Sequence, residues 1–287
     1  LIQCFGISKQ AFYKRLKTYN NKQKQDKIIV QLVRSYREEV GQRTGGIKLY
    51  SELKANMLNL GIKMGRDKFY RVLRMNNLLV PKTRRFHITT DSKHQFYKYT
   101  NLVQDKVPDR PEQLWVSDIT YIKTQSGHNY LAIVTDAYSK QIMGYKLASH
   151  MKTSLCLDAL KMALKNRIYK DQKLIHHSDR GLQYCNPEYT GFAEANGLTM
   201  SMTQQYDPYE NAVAERINQT LKYEYAMGQT IKNTTLAKKM LKRAVEIYNK
   251  RTHFSLKLKT PKFVHLNKNV PYHSYKRNQQ NLEILTI

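Results

Sequence analysis

Residues 114–147 read LWVSDITYIKTQSGHNYLAIVTDAYSKQIMGYKL, and the pattern of this stretch decides the fold. Three runs rich in β-branched and aromatic residues, Leu114–Lys123, Asn129–Asp136 and Gln141–Leu147, alternate with turn residues at Ser126-Gly127-His128 and Ser139-Lys140. Such spacing predicts a three-stranded meander.

Working downstream, Thr153 is expected to cap an amphipathic helix running to Arg167, with Leu155, Ala159, Leu160, Ala163 and Leu164 on one face. Lys173–His177 reads as a short strand. Asn186 then caps a helix that has Pro187 at its first position and Gly197 just past its end. Leu198–Met202 is a further strand, and Asp207-Pro208-Tyr209-Glu210 forms a capping box that opens a helix to about Ala226. The order βββ-α-β-α-β-α is that of an α/β, ribonuclease-H-like fold, a mixed sheet with helices on its faces. Asn233–Asn249 is another helix, and the tail from Lys250 reads as basic and irregular.

Upstream, residues 1–80 read as all-α. Ser8–Tyr19 and Asp26–Val40 are predicted as two helices, and Thr44 as the cap of a third that Gly61 ends. A fourth, Arg66–Asn76, buries Phe69, Val72 and Leu73 and turns Lys68, Arg71 and Arg74 outward, the pattern of a helix-turn-helix with a basic second helix. Residues 81–112 lack any sustained period and read as a basic linker. The resulting division is a helical DNA-binding region at 1–80, the linker at 81–112, a catalytic core at 113–227 and a basic helix and tail at 228–287.

Charge follows the same division. The chain of 287 residues carries a formal net charge of +27. Residues 1–112 hold 24 Lys/Arg against 9 Asp/Glu, residues 113–227 hold 12 against 11, and residues 228–287 hold 13 against 2. A charge serving solubility alone would be spread evenly; basic flanks around a neutral centre point to a polyanion, bound by phosphate neutralisation and counterion release. At 41% hydrophobic residues the chain is too apolar for a disordered polycation. No apolar run approaches the ~20 residues of a membrane span, and Leu1–Gln10 lacks the pattern of a signal peptide. The three cysteines, with no CxxC pair, argue against a disulfide scaffold or zinc ribbon. The expectation is a folded, cytoplasmic protein associated with DNA.

The chemistry rests on three acids. Asp118 stands mid-strand in WVSDITYI, where a carboxylate is costly unless it meets a cation. Asp179 follows a strand directly in HHSDRGLQY, at the sheet end where ligands gather. Glu215 lies about two turns into the capped helix, with 35 residues between it and Asp179. Three carboxylates from two strands and a helix repel one another unless hard divalent cations sit among them, which suits two Mg²⁺ ions, or Mn²⁺ in their place. Lys222 lies seven residues after Glu215, nearly the same helix face two turns on, with Asn218 between them, so both are candidates for contact with a DNA phosphate. Arg180, Gln183 and Tyr184, in the loop after Asp179, are candidates for DNA contact as well. Asp136 reads as a turn residue, Glu210 as part of the capping box, His176 and His177 as packing or support for Asp179, Trp115 as core, and Gln204–Tyr206 as a mobile loop beside the site.

The segments WVSDITYI, HHSDRGLQY and YENAVAERINQTLK resemble the integrase-type transposases of bacterial insertion sequences, specifically the IS-three family. The resemblance covers nearly the whole chain, including residues 43–80 as a helix-turn-helix and Tyr248-Asn249-Lys250-Arg251-Thr252-His253 as the family's YNxxRPH stretch, with Thr252 in place of the proline. It implies an integrase-core fold and an Asp, Asp, Glu metal site at Asp118, Asp179 and Glu215. It also implies cleavage and strand transfer at the terminal inverted repeats of an insertion sequence and into target DNA, by a homodimer or larger assembly. Copy-out–paste-in transposition through a circular intermediate is implied too, as is frequent fusion to an upstream DNA-binding and coiled-coil reading frame; if that holds here, part of the end-recognition and dimerising apparatus is expected to lie outside this sequence, which begins at Leu1. Two other classes fit parts of the pattern. A nuclease or junction resolvase would use the same fold and metals without needing the helical basic region. A non-catalytic DNA-binding regulator would use only the N-terminal helices.

Overall fold

The computed structural model describes residues 7–81, 95–104, 107–204 and 212–267. The capping box at Asp207–Glu210, and the loop before it from residue 205 on, lie outside them. The chain divides into two compact units, Leu1–Arg84 and Arg85–Ile287.

The first unit is helical. Its opening helix, α1, is one continuous element, Lys9–Val40, where two were expected. The residues between, Asn20 to Gln25, contain neither proline nor glycine. Their lack of apolar period reflects exposure and not a break. Ser8 caps the helix by accepting from Ala11 N at 3.2 Å. Thr44 caps nothing: it is fully buried, its hydroxyl donates to the Gly41 carbonyl at 2.9 Å, and α2 (Gly46–Asn59) starts after Gly45 without a side-chain cap. Gly61, at φ +69, ends α2 in the left-handed region that favours glycine. The next helix, α3 (Arg66–Met75), buries Phe69, Val72 and Leu73 against Ile29, Val33, Leu49, Leu53 and Met57. Lys68 and Arg74 are exposed and Arg71 is half-buried.

The second unit is built on the meander, β1 (Leu114–Thr124), β2 (Gly127–Asp136) and β3 (Ile142–Ala148), paired antiparallel. It continues through α4 (Thr153–Lys165), β4 (Leu174–Ser178), α5 (Leu182–Cys185), α6 (Pro187–Ala195), β5 (Leu198–Met202), α7 (Ala212–Glu224) and α8 (Thr234–Lys250). The sheet order is β3-β2-β1-β4-β5, with β4 parallel to both β1 and β5. Three antiparallel strands followed by two parallel ones, helices on both faces, is the ribonuclease-H-like arrangement.

Alternation along the strands sends one set of side chains to each face. Trp115, Ala132, Val134 and Met143 pack with the buried faces of α4 and α6, while Ile122, Leu131, Ile133 and Leu147 pack with Ile217 and Leu221 of α7 and the Ala237–Tyr248 stripe of α8. Each fully buried aliphatic or aromatic side chain in these layers contributes ~1.5–3 kcal/mol. Gly144 lets α4 approach β3 closely, since a Cβ there would run into the Ala159 carbonyl and stand 2.6 Å from Ala163 N. Asn186, accepting from Glu188 N at 2.9 Å, caps α6 as its sequence pattern predicts, and Asn233, expected as the first residue of its helix, instead caps α8 by accepting from Leu236 N at 2.8 Å. Thr153 is the first helical residue of α4 and not its cap; Lys152 holds that position with no side-chain bond.

Part of the segment anticipated as a linker lies along β5. Leu102 N donates to Ser201 Oγ at 2.9 Å, and Phe96 and Tyr99 pack on the core. The stretch from Lys250, expected to be irregular, forms a 3₁₀ turn at Phe254–Leu256 and a short helix α9 (Pro261–Leu266) capped by Thr260. Buried polar groups order it. Arg251 meets Glu224 at 3.3 Å, and His253 packs edge-on against Tyr248 with centroids 4.4 Å apart. Fully buried His265 lies 3.2 Å from Glu112 Oε1 and 3.0 Å from Ser139 Oγ. Glu112, itself buried, also accepts from Ile168 N and Tyr169 N at 2.8 Å. Asp136 makes the expected turn, accepting from Ser139 N at 2.7 Å, and ties it to Glu112 N at 2.6 Å.

Candidate active site

β4 pairs with β1 only over Leu114–Val116. Beyond that, the half of β1 that carries Asp118 has β2 on one side and, among the described residues, no strand on the other. The notch so formed is bordered by the end of β4, where Asp179 follows Ser178, and by α7, which packs against β1 and carries Glu215 in its first turn.

Asp118 is held at both oxygens. Oδ1 accepts from Ile119 N at 2.8 Å and Oδ2 from Asn218 Nδ2 at 2.7 Å. Burial, joined by the negative charges of Asp179 and Glu215, pushes its carboxyl up to about 8 even though those two hydrogen bonds pull the other way. Burial also raises Glu215. Asp179 closes its own turn, with Oδ1 accepting from Gly181 N at 3.0 Å. The absence of a side chain at residue 181 serves this turn, since a Cβ would stand 3.0 Å from that oxygen.

The three acids therefore border one notch, and Asp118 feels the charges of the other two. They do not converge on a point: among the described residues no three His, Cys, Asp or Glu side chains lie close enough to hold an ion together. The arrangement is an acidic basin, wider than the closed cage that two metals would need. Its chemistry still fits hard divalent cations. The donors are carboxylate oxygens, the repulsion that Asp118 feels is the charge an ion would neutralise, and beside them the buried Oδ1 of Asn218 has no hydrogen-bond partner among the described residues.

The remaining predicted contacts divide. Lys222 joins the basin: its Nζ lies 4.2 Å from the centre of the Tyr121 ring, and burial lowers its pKa against the opposing pull of Asp118. Arg180 is half-buried beside Asp179. Gln183 is buried, and its Nε2 donates to the Met151 carbonyl at 2.9 Å. Tyr184 is 2% exposed and packs edge-on against Tyr189, 5.4 Å between centroids. Its ring belongs to the core, so the expectation that it meets DNA is corrected. Asn218 is 6% exposed and is spent on Asp118, and so does not present its amide to a phosphate.

The two histidines before Asp179 are structural. His176 Nε2 lies 2.8 Å from Ser117 Oγ and 2.9 Å from the Tyr189 hydroxyl, and burial, with His177 adding to it, holds its pKa down at about 3, so the ring is neutral. His177 Nδ1 lies 2.9 Å from Ser201 Oγ. Sequence reasoning missed Tyr121. An odd number of residues from Asp118, it falls on the alternate face of β1, and no spacing rule connects it to Lys222 a hundred residues on.

Two family profiles, each described as an integrase core domain, match residues 108–208 and 196–261. The chain is 34% identical over 258 residues to the insertion element IS600 uncharacterized 31 kDa protein of Shigella sonnei, covering 88% of this chain and 91% of that one. It is 32% identical over 206 residues to the transposase for insertion sequence element IS629 of Shigella sonnei, covering 71% and 69%. Among solved structures, the simian T-cell lymphotropic virus intasome in complex with PP2A regulatory subunit B56 gamma is similar over 82% of this chain and 79% of that one, with 17% identity and a TM-score of 0.49.

Proposed function

The chain belongs to the IS-three family of insertion-sequence transposases with an integrase core domain, and from that premise we propose that Asp118, Asp179 and Glu215 are its catalytic carboxylates. The protein is a DNA transposase, a polynucleotidyl transferase acting in transposition and integration.

One observation carries the assignment of residues: Asp118 is buried on β1 within reach of the charges of two acids, one from the turn after β4 and one from α7, which together with burial raise its carboxyl to about 8. A buried carboxylate that lies within reach of two further acids costs stability, and a site that keeps it suits cations. Bound there, two Mg²⁺ ions, or Mn²⁺, would activate the attacking oxygen and stabilise the leaving oxygen of an in-line displacement. Asp118 on β1, Asp179 in the turn after β4 and Glu215 on α7 are the residues that would hold them. Lys222 steadies a DNA phosphate beside them. Water attacks the phosphodiester at the element's end and frees a 3′-hydroxyl, which then attacks another phosphodiester and displaces its 3′-oxygen, with no covalent protein–DNA intermediate. Lys68, Arg71 and Arg74 on α3, with Arg180 near Asp179, contact duplex DNA. Two ends are processed together by a dimer or larger assembly.

The test is a strand-transfer assay with labelled terminal DNA and Mg²⁺, comparing wild type with Glu215→Gln. Joined products from the wild type alone support the assignment; joined products from both refute it.

A further inference from the structure

The Asn218 side chain is where the sequence predicts a DNA contact, on the stripe from Glu215 to Lys222, yet it is 6% exposed and faces the strand instead. Its Nδ2 donates to Asp118 Oδ2 at 2.7 Å, while the other oxygen of that carboxylate accepts from Ile119 N at 2.8 Å. The terminal torsion of an aspartate is broad and roughly two-fold, so one hydrogen bond leaves the carboxylate plane free to swing. Two donors, one from the strand and one from the helix, fix it. Asn218 also lies three residues beyond Glu215 on the same helix face, so its bond to β1 sets how Glu215 stands against Asp118. The Oδ1 of Asn218 is buried and has no hydrogen-bond partner among the described residues, so the amide is exposed to DNA by neither end.

We propose that Asn218 is a positioning residue: it locks the Asp118 carboxylate and the register of α7 in the geometry from which Asp118 and Glu215 receive a divalent cation. The proposal rests on the reading of the three acids given above. Outer-shell partners of metal ligands typically contribute 10- to 100-fold in metal affinity. The bond is charge-assisted when Asp118 is ionised, the state that binds a cation.

The experiment uses the full chain with Asn218→Leu, which keeps the volume, and Asn218→Ser, which keeps polarity without reach. Mn²⁺ affinity is measured by electron paramagnetic resonance, and affinity for terminal duplex DNA is measured without divalent ions over a range of salt. Thermal melting confirms that at least one variant is folded. The expected result is a Mn²⁺ dissociation constant raised about tenfold or more in the folded variant, with duplex affinity and its salt slope within twofold of wild type. A variant that keeps wild-type Mn²⁺ affinity but loses duplex affinity would overturn the proposal and return Asn218 to the DNA interface. Unfolding of both variants would also overturn it, in favour of a role in the core. Failure of the wild type itself to bind Mn²⁺ would instead refute the reading of the acids on which the proposal rests.

Discussion

The ammonium of Lys222 on α7 lies 4.2 Å from the centre of the Tyr121 ring on β1, on the far side of the strand position that carries Asp118. A cation over an aromatic face gains ~0.5–1 kcal/mol at exposed sites and about 2 when desolvated. The contact gives the long, entropically costly side chain a resting place at the rim of the acidic basin, close enough to Asp118 to feel its charge.

Lys222→Ala is therefore expected to weaken binding of terminal duplex and to reduce the salt slope by about 1, the signature of one lost phosphate contact. Tyr121→Phe keeps the ring and should leave the slope unchanged, whereas Tyr121→Leu should weaken binding by several-fold. Fluorescence anisotropy at several salt concentrations reads both. A wild-type slope in Lys222→Ala would remove this lysine from the DNA interface.

His265 should make the second unit sensitive to alkali. Burial alone would lower its pKa, but hydrogen bonds and charges from Asp136 and Glu112 more than reverse this, to about 9. A group raised on folding stabilises fully below its unfolded pKa and loses that stabilisation as pH rises through the folded one. The difference in melting temperature between wild type and His265→Gln should thus be large at pH 6, shrink across roughly pH 6.5–9 and vanish above. A difference that does not change with pH would mean the ring acts by packing alone.

Two glycines on helix-facing or helical positions should respond in opposite directions to alanine. At Gly144 the added methyl meets the backbone of α4, so Gly144→Ala should destabilise by about 1–3 kcal/mol. At Gly191, inside α6, a Cβ meets nothing within 4 Å, so Gly191→Ala should stabilise by up to ~1 kcal/mol. Chemical denaturation midpoints give both signs; equal shifts would contradict the close approach of α4 to β3.

Mg²⁺ should raise the melting temperature of the wild type and leave that of Asp118→Asn unmoved. A ligand bound only by the native state at 100 times its dissociation constant adds ~2.7 kcal/mol. In chelator above about pH 8, where the Asp118 carboxyl is ionised, Asp118→Asn should be at least as stable as the wild type, because it removes a buried charge that Asp179 and Glu215 oppose. A loss of stability in chelator would mean that the carboxylate is there for the fold.

Much of this was legible in the sequence because the signals are local. The meander shows in its turn residues, and the start of α6 shows in Asn186-Pro187, whose cap needs only the next few residues. The three acids stood out because each occupies a costly or ligand-gathering place on its own element. What stayed hidden depends on distant partners. Glu112 and His265 are 153 residues apart, and neither reads as buried until the other is in place. Asn218 and Asp118 are 100 apart, so a hydrogen bond between them was read as a DNA contact on helical spacing alone. The continuity of α1 was missed for the opposite reason, since an exposed polar stretch carries no periodicity to read. Tyr184 was misplaced because a tyrosine beside an active-site aspartate fits a groove or a core equally well until its neighbours Tyr189 and His176 are seen around it.

The central claim, that Asp118, Asp179 and Glu215 jointly receive divalent cations, is tested most directly by anomalous diffraction from crystals of the protein bound to its terminal DNA and soaked in Mn²⁺. The account predicts manganese peaks bounded by oxygens of all three side chains, the basin having drawn closed around them. Manganese found elsewhere, with these carboxylates still apart in the DNA complex, would contradict it.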